Sequence, residues 1–286
     1  MATGRNSIVI SIFSTSSGNG KTITAINLAA GLSHEGYAVC LVDLDLQFGD
    51  IVKYLKLEPK HSIGEAQRDF IAKKPNFNVI DYLTEYTTKN ENGDGLEFSV
   101  MAPPSMVFDA YRIDVSVVEG LIRQMNYFDF IILDLNAVFS ALNLAMLDMS
   151  TIINYVGVID FLPSVKNFKV GYDTLIRFEY EESKIRLVEN RANSQKLISG
   201  HDVERLIGEK FFHRLPNDFR SVNKSILAGQ PLIFAAPDSA LTASFTNLAQ
   251  KYTMHQDLAE KGINPAQPVA KQSTGFITKI KSMFFG

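Results

Sequence analysis

The sequence predicts an α/β fold: a doubly wound, mainly parallel β-sheet with helices on both faces. Short apolar runs alternate with longer segments in which apolar residues recur at helical spacing. The short runs are apolar at consecutive positions, as expected of strands that helices cover on both faces. The chain has 286 residues, of which 46% are hydrophobic and 21% are charged. That length and composition allow a large buried core.

Seven apolar runs predict the strands in chain order. They occupy residues 8–13, 38–42, 96–101, 130–133, 152–159, 185–188 and 211–215. Helical spacing of apolar residues predicts helices over residues 21–32, 115–125 and 165–178. Because strands and helices alternate, right-handed crossovers are expected to join the parallel strands. The polar, turn-rich stretch at 89–95 predicts a surface loop.

Changes in composition predict three parts of the chain. The strand and helix patterns define a globular domain over residues 1–258. Residues 259–274 lose these patterns and contain Pro265 and Pro268, which predicts a linker. Residues 275–286 are again apolar and are predicted to form a separate amphipathic helix.

Charge and cysteine content exclude several classes of protein. The 28 basic and 31 acidic side chains give a net charge of −3, so nucleic acid is not an expected partner. The one cysteine, Cys40, excludes an internal disulfide and favours a reducing, cytoplasmic location. No run of about 18 apolar residues occurs, so no transmembrane helix is predicted.

A loop rich in serine and glycine follows the first predicted strand and leads directly into a helix. Small residues let backbone N–H groups converge on phosphate oxygens at the positive end of a helix. Lys21 is placed to reach the β- and γ-phosphates of a nucleotide, and the Thr22 hydroxyl to bind Mg²⁺. The predicted nucleotide-binding residues of this loop are Ser16, Ser17, Gly18, Asn19, Gly20, Lys21 and Thr22.

The spacing of this loop differs from the standard Walker A motif. That motif requires a glycine six residues before the lysine, where this chain has Thr15. The loop is therefore matched to the deviant Walker A pattern, Lys-Gly-Gly-x-Gly-Lys-Thr.

Several separated motifs resemble one family. Residues 41–50 read Leu-Val-Asp-Leu-Asp-Leu-Gln-Phe-Gly-Asp and residues 57–63 read Leu-Glu-Pro-Lys-His-Ser-Ile. Leu-Pro-Asn-Asp-Phe-Arg at 215–220 and Gly-Gln-Pro-Leu at 229–232 follow in the same order. Together with the loop, these motifs resemble the MinD/ParA superfamily proteins called CpaE or TadZ, which position Tad-type (Flp) pilus assembly. The resemblance covers about residues 5 to 255 and implies binding of ATP and Mg²⁺ and face-to-face dimerisation.

The resemblance also implies roles for individual residues. Asp43 and Asp45 occupy positions of carboxylates near Mg²⁺ and the attacking water, so Asp45 and Lys21 are the predicted catalytic residues. Asp134 ends a run that resembles the Walker B strand, and the predicted metal ligands are therefore Thr22, Asp43 and Asp134. The stretches that enclose adenine in relatives correspond here to Asn190, Pro216 and Asn217.

The chain departs from the family pattern in ways that affect hydrolysis. Family members carry a characteristic lysine that reaches the partner's phosphates, and the matching residue here is Ser16; the next glycine is replaced by Ser17. Loss of a cation near the developing phosphate charge slows phosphoryl transfer strongly. ATP binding with slow hydrolysis is therefore predicted.

The C-terminal segment 275–286 predicts membrane contact. Apolar side chains share one helical face, lysines flank it, and no acidic residue follows residue 265. This pattern favours an anionic lipid surface, and the segment resembles the terminal membrane-targeting helix of MinD proteins. Docking on the protein's own surface or in a partner's groove is the alternative. The predicted membrane-contacting residues are Phe276, Ile277, Lys279, Ile280, Lys281, Met283 and Phe284.

These observations lead to one main hypothesis and two alternatives. We expect a cytoplasmic Mg-ATP-binding homodimer, peripheral to the inner membrane with either a polar or a dispersed distribution, that positions a Tad/Flp-type pilus or a related secretion assembly. One alternative is a catalytically degenerate, nucleotide-bound scaffold. The other is a ParA-like DNA-partitioning ATPase, which predicts salt-sensitive DNA binding and is disfavoured by the balanced charge and the apolar C-terminal segment.

Overall fold

A computed structural model describes residues 7–89, 95–193 and 198–253. These ranges include most of the predicted globular domain. The predicted linker at 259–274 and the predicted helix at 275–286 lie outside the described residues, with all of the predicted membrane-contacting side chains. The expectations for those segments therefore stay predictions.

The described residues form one eight-stranded sheet. Its strands are β1 (Ile8–Phe13), β2 (Val39–Leu44), β3 (Thr84–Lys89), β4 (Gly95–Met101), β5 (Phe130–Leu135), β6 (Ile152–Val158), β7 (Ile185–Ala192) and β8 (His213–Pro216). Across the sheet the order is β3-β4-β2-β5-β1-β6-β7-β8, and all neighbours are parallel except β3 and β4. The predicted doubly wound, mainly parallel sheet is confirmed.

The sequence pattern did not predict β3. This strand has the sequence Thr-Glu-Tyr-Thr-Thr-Lys, and Tyr86 is its one fully buried residue. It pairs antiparallel with β4 at the edge of the sheet, where polar side chains are favourable and no apolar run is required. Its last residue, Lys89, pairs with Gly95, so the stretch predicted as a surface loop connects two strands of a hairpin.

Helices cover both faces of the sheet and enclose two apolar cores. One core contains side chains of α1 (Lys21–His34), α2 (Ile51–Tyr54), α10 (Leu232–Ala235) and α11 (Ala240–Thr253), and α9 (Phe219–Ala228) packs at its border. The other contains side chains of α3 (Ile63–Ile71), α5 (Val115–Gln124), α6 (Ala141–Met149), α7 (Leu162–Arg177) and α8 (Gly200–Ile207). The short helix α4 (Val107–Ala110) is largely exposed.

The central strands direct their side chains to the two cores in turn. In β2, Val42 and Leu44 belong to the core opposite α1, so Asp43 between them faces α1. In β5, Leu133 and Leu135 likewise place Asp134 on the α1 face. The parallel strands all end at one edge of the sheet, which we call the carboxyl edge and where α/β proteins commonly bind ligands.

The described helices were compared with the requirements for crossing a membrane. None of them combines the length and the apolar character that a membrane span requires.

Candidate functional site

The loop at residues 14–20 joins the end of β1 to the start of α1 at the carboxyl edge. Gly18 and Gly20 have φ angles of +75° and +83°, in the left-handed region that favours glycine. Gly20 is the residue that precedes the first turn of α1, which begins at Lys21. Because backbone N–H groups at a helix start carry partial positive charge, this arrangement can hold an anion.

Internal hydrogen bonds hold the loop in shape. The buried Ser14 hydroxyl oxygen accepts from Asn19 Nδ2 at 2.7 Å and from the Ser16 N–H at 3.3 Å. Thr15 Oγ1 lies 2.7 Å from the Tyr155 hydroxyl of β6, which ties the loop to the neighbouring strand. The side chain of Ser16 is half-buried, whereas Ser17 and Gly18 are exposed.

The end of β7 contacts the loop from outside. Asn190 Nδ2 donates to the Asn19 carbonyl oxygen at 2.8 Å, and Arg191 Nη2 donates to the Gly18 carbonyl oxygen at 3.2 Å. A Cβ atom at Gly20 would lie 2.2 Å from Asn190 Nδ2, so a larger residue would displace this contact. Sequence reasoning missed Arg191, and its position next to the predicted Asn190 was the available signal.

Asp134, at the end of β5, is a buried carboxylate beside the start of α1. It is 1% exposed, and neither carboxylate oxygen has a hydrogen-bond partner among the described residues. Burial raises the pKa of Asp134 to about 7, although the nearby Thr22 hydroxyl and Lys21 ammonium lower it. Burial also lowers the pKa of Lys21, and the negative charges of Asp134 and Asp45 oppose that effect. Lys21, Thr22, Asp45 and Asp134 therefore interact electrostatically in one site.

Asp43 lies opposite Asp134 in the neighbouring strand but is bonded differently. Its two carboxylate oxygens accept from the Asp45 N–H and the Ile51 N–H, each at 3.2 Å. A Cβ atom at Gly49 would lie 2.5 Å from both oxygens, so the turn after β2 closes tightly over this carboxylate. Burial, and next the charge of Asp134, raise the pKa of Asp43.

The remaining predicted residues lie at the same edge. Asp45 is half-buried just after β2, and its charge raises the pKa of Lys21, Asp43 and Asp134. Pro216 ends β8 opposite Ala192 of β7, and the exposed Asn217 follows it. The fold thus brings Asn190 against the loop and places Pro216 and Asn217 one strand farther away.

The donor set fits a magnesium ion that binds together with a phosphate group. In the described part of the chain, no cluster of three or more His, Cys, Asp or Glu side chains could hold a metal ion alone. Magnesium at nucleotide sites typically takes one or two protein ligands and completes its shell with phosphate oxygens and water. The Thr22 hydroxyl and the Asp134 oxygens, which accept no hydrogen bond from the described part of the chain, match that requirement.

A comparison with sequence families decides the identity of this domain. The profile described as the CobQ/CobB/MinD/ParA nucleotide binding domain matches residues 10–232. The chain belongs to this MinD/ParA family. The match includes the loop, the three aspartates at the ends of β2 and β5, and the ends of β7 and β8. A search of curated protein sequences found no significant match.

Solved structures share the fold of this MinD/ParA-family chain. The ParA family ATPase from Chlorobium tepidum has a TM-score of 0.76 at 22% identity, over 86% of this chain and 98% of that chain. The cell division ATPase MinD from Pyrococcus furiosus has a TM-score of 0.70 at 21% identity, over 86% and 98%. The septum site-determining protein MinD from Pyrococcus horikoshii, complexed with Mg-ADP, has a TM-score of 0.71 at 19% identity, over 89% and 98%. At these identities the likeness establishes the fold alone.

Proposed function

We propose that this MinD/ParA-family protein binds Mg-ATP at the loop, dimerises over it, and acts at the membrane as a positioning or assembly factor for a Tad/Flp-type pilus or a related surface machine. One observation carries the Mg-nucleotide part of this proposal: Asp134 is buried beside Lys21 and Thr22, and no described residue lies within hydrogen-bond geometry of either carboxylate oxygen. An unpaired buried carboxylate is costly, so its retention favours a cation as the missing partner. The relative from P. horikoshii is described with Mg-ADP.

Each predicted residue takes a part in this proposal. The loop N–H groups and Lys21 hold the phosphates, and Thr22 and Asp134 hold the Mg²⁺, which neutralises phosphate charge when bound. Asp43, in register with Asp134 in the neighbouring strand, is proposed to support the metal together with it. Asp45 orients water where hydrolysis occurs. The adenine side is formed by Asn190, Pro216 and Asn217 at the ends of β7 and β8.

Hydrolysis is proposed to be slow because Ser16 takes the position of the characteristic lysine in the deviant Walker A pattern. A serine brings no positive charge to the phosphate oxygens, where charge stabilisation carries most of the catalysis. We expect the purified protein to release phosphate at less than about one turnover per minute. Many turnovers per minute without a partner would contradict this part of the proposal.

An apolar rim around the site supports dimerisation through the carboxyl edge. Its side chains follow the ends of β2, β4, β5, β6 and β8 and are 55% to 76% exposed. Exposed apolar groups around a functional site are typical of protein interfaces. We define the apolar rim as Phe48, Met106, Phe108, Val138, Phe161 and Phe219.

Membrane association is proposed to depend on the dimer. When a short amphipathic segment such as residues 275–286 binds a membrane, each large apolar side chain that is fully buried contributes about 1.5–3 kcal/mol of binding free energy. Only part of this gain is realised at an interface, and ordering costs about 1–2 kcal/mol per residue. One copy is therefore expected to bind lipid marginally. Two linked copies can bind about 100-fold more tightly, so that ATP-dependent dimerisation would recruit the protein.

The central experiment measures nucleotide binding by calorimetry with full-length protein and Mg²⁺. Wild type is expected to bind ATP, and Lys21→Ala to bind it about 10- to 100-fold more weakly, because a charged donor to the phosphates is lost. Lys60→Ala, at an exposed lysine after α2, is the matched control and is expected to match wild type. Absence of ATP binding by wild type would refute the proposal.

Dimerisation is tested by light scattering after size-exclusion chromatography with ATP or ADP. Phe219→Ser, in the apolar rim, is expected to weaken the ATP-dependent dimer about tenfold. The control is Tyr127→Ser, because Tyr127 is also exposed but lies just before β5, at the opposite edge of the sheet. A wild-type protein that stays monomeric in ATP would exclude the dimer.

Membrane binding is tested by co-sedimentation with vesicles that contain phosphatidylglycerol. Ile280→Asp places a charge on the predicted apolar face and is expected to abolish ATP-dependent sedimentation. Thr278→Asp adds the same charge off that face and is expected to retain most of it. Equal effects of the two variants would point to charge alone and not to an inserted apolar face.

A catalytically degenerate scaffold is the second candidate, and Ser16 at the lysine position favours it. Asp45→Ala separates the two candidates, because a scaffold needs no oriented water. Unchanged localisation and nucleotide occupancy in Asp45→Ala would favour the scaffold. Salt-sensitive binding to non-specific DNA would instead indicate a partitioning ATPase.

A further inference from the structure

Two consecutive residues at the end of β7 hold two consecutive carbonyl groups of the loop. Asn190 bonds the carbonyl of Asn19 at 2.8 Å, and Arg191 bonds the carbonyl of Gly18 at 3.2 Å. We infer that Arg191, with Asn190, is a positioning residue that aims the N–H groups of Asn19 and Gly20 at the bound phosphate. This inference rests on the proposed binding of a nucleotide at the loop.

The geometry of the peptide group links these bonds to the phosphate side. In a trans peptide, the C=O group and the N–H group that follows it point in opposite directions. The described residues contain no cis peptide bond. Since the carbonyls of Gly18 and Asn19 point to β7, the N–H groups of Asn19 and Gly20 point away from it. A loop held in this way has its donors aimed before the anion arrives, which saves the cost of ordering them.

An irregularity in β7 makes the double contact possible. Consecutive residues of a regular strand point to opposite faces of the sheet, so Asn190 and Arg191 could not both reach the loop. Here the pairing of β7 with β8 shifts register between Glu189 and Ala192, and Arg191 has a φ of +53°. A left-handed φ at a non-glycine residue is unfavourable, and such residues concentrate at functional sites.

The Asn190 amide is oriented for this contact. Its Oδ1 accepts the Arg191 N–H at 2.8 Å, which directs its Nδ2 to the Asn19 carbonyl. The irregularity in β7, the Asn190 amide and the Arg191 guanidinium therefore act as one unit, which we call the loop clamp. If Asn190 served only the adenine side proposed above, its loss would weaken the binding of ATP alone, whereas the loop clamp acts on any ligand with a polyphosphate group.

The test compares ATP with inorganic tripolyphosphate by calorimetry, using full-length protein and Mg²⁺. Arg191→Gln and Asn190→Ala are each expected to weaken the binding of both ligands about 5- to 20-fold. Arg191→Lys keeps a long donor and is expected to recover to within about threefold of wild type. Arg123→Gln, an exposed arginine in the last turn of α5, is the control and is expected to match wild type.

Ionic strength separates the loop clamp from simple attraction between Arg191 and the phosphates. Attraction between exposed charges is screened by salt, so that contribution would shrink between about 0.05 and 0.5 M NaCl. The loop clamp predicts that the ratio of dissociation constants, Arg191→Gln over wild type, stays constant over this range. A ratio that falls towards one at high salt would overturn the positioning role, as would an effect of Asn190→Ala on ATP alone.

The nucleotide-free protein provides a second readout. We expect ¹⁵N order parameters of the Asn19 and Gly20 amides near 0.85 in wild type and nearer to about 0.6 in Arg191→Gln. Unchanged order parameters would overturn the loop clamp. If wild type binds neither ligand, the proposed nucleotide function fails, and the order parameters still decide whether the clamp orders the loop.

Discussion

The ends of β2 and β5 carry two aspartates that are alike in sequence and different in bonding. Asp43 and Asp134 each follow an apolar run, lie side by side in register on the α1 face of the sheet and are no more than 1% exposed. Asp43 accepts two backbone N–H groups, whereas both oxygens of Asp134 lack a partner among the described residues. Burial alone therefore does not indicate a ligand site. The informative property is whether the fold already satisfies the buried oxygens.

Loss of each carboxylate is therefore expected to have a different main effect. Asp43 closes the turn after β2 through the Asp45 and Ile51 amides, so we expect its loss to affect mainly folding. Asp134 stabilises no backbone group of the described residues, so we expect its loss to affect mainly Mg-nucleotide binding.

The largest expected effect is on stability. Asp43→Ala and Asp134→Ala remove the same side-chain atoms from two fully buried positions, so their costs of lost volume are similar. Asp43→Ala also leaves the buried Ile51 N–H and the half-buried Asp45 N–H without an acceptor, at about 1–3 kcal/mol for a fully buried group and less for the other. We expect its free energy of unfolding, measured with urea on nucleotide-free protein, to be lower than that of Asp134→Ala by about 3 kcal/mol. Equal losses would remove the distinction between the two sites.

The pH dependence of stability tests Asp134 directly. Its pKa is about 7 in the folded protein, against about 3.9 for an unperturbed aspartate. The folded state therefore retains a proton that the unfolded chain releases, so stability falls as the pH rises between these two values. The loss is expected to be about 2–4 kcal/mol.

Asp134→Asn is the control for this pH effect, because its side chain has nearly the same shape and does not titrate. We expect the stability of nucleotide-free Asp134→Asn, measured by urea unfolding from about pH 4 to pH 7, to fall less steeply with pH than that of wild type, the remaining slope coming from Asp43, whose pKa burial also raises. Identical slopes would place the responsible proton elsewhere.

A smaller effect is expected on ATP binding in the presence of Mg²⁺. This affinity should rise with pH, whereas stability falls with pH. Asp134→Asn is expected to weaken ATP binding about tenfold with Mg²⁺ present and little with the metal chelated. In wild type, ATP affinity with Mg²⁺ should rise as the pH passes through about 7, because a protonated carboxyl group cannot bind the cation. Calorimetry with and without chelator measures both effects, and a metal-independent loss would argue against a role at Mg²⁺.

The smallest expected effect concerns Asp50, whose negative charge contributes to the raised pKa of Asp134. Asp50→Asn breaks an exposed ion pair with Lys53, which contributes less than about 0.5 kcal/mol. We expect stability at neutral pH to be almost unchanged and the midpoint of the pH effect to move slightly lower. Asp109→Asn breaks a similar exposed pair with Arg112 and is expected to leave the midpoint in place.

Most of the fold could be predicted from local pattern, and the edge strand β3 could not. All seven strands predicted from apolar runs are present, including β8 at the opposite edge, and the central ones are largely apolar because helices cover them on both faces. β3 escaped prediction because an edge strand has one exposed side and can be polar. The loop before Lys21 was predictable because its glycines, lysine and threonine are adjacent in sequence.

The sequence by itself determined where the chain crosses the sheet and where a phosphate-binding loop would form, since both depend on residues close together along the chain. The tertiary structure alone decided that backbone N–H groups satisfy Asp43, that no described residue does so for Asp134, and that Arg191 reaches the loop. Those outcomes depend on the burial and bonding of groups far apart in sequence, such as Gly18 and Arg191. Hydrophobic periodicity carries no information about such pairs, because it reports which face is buried and not which polar atoms meet there.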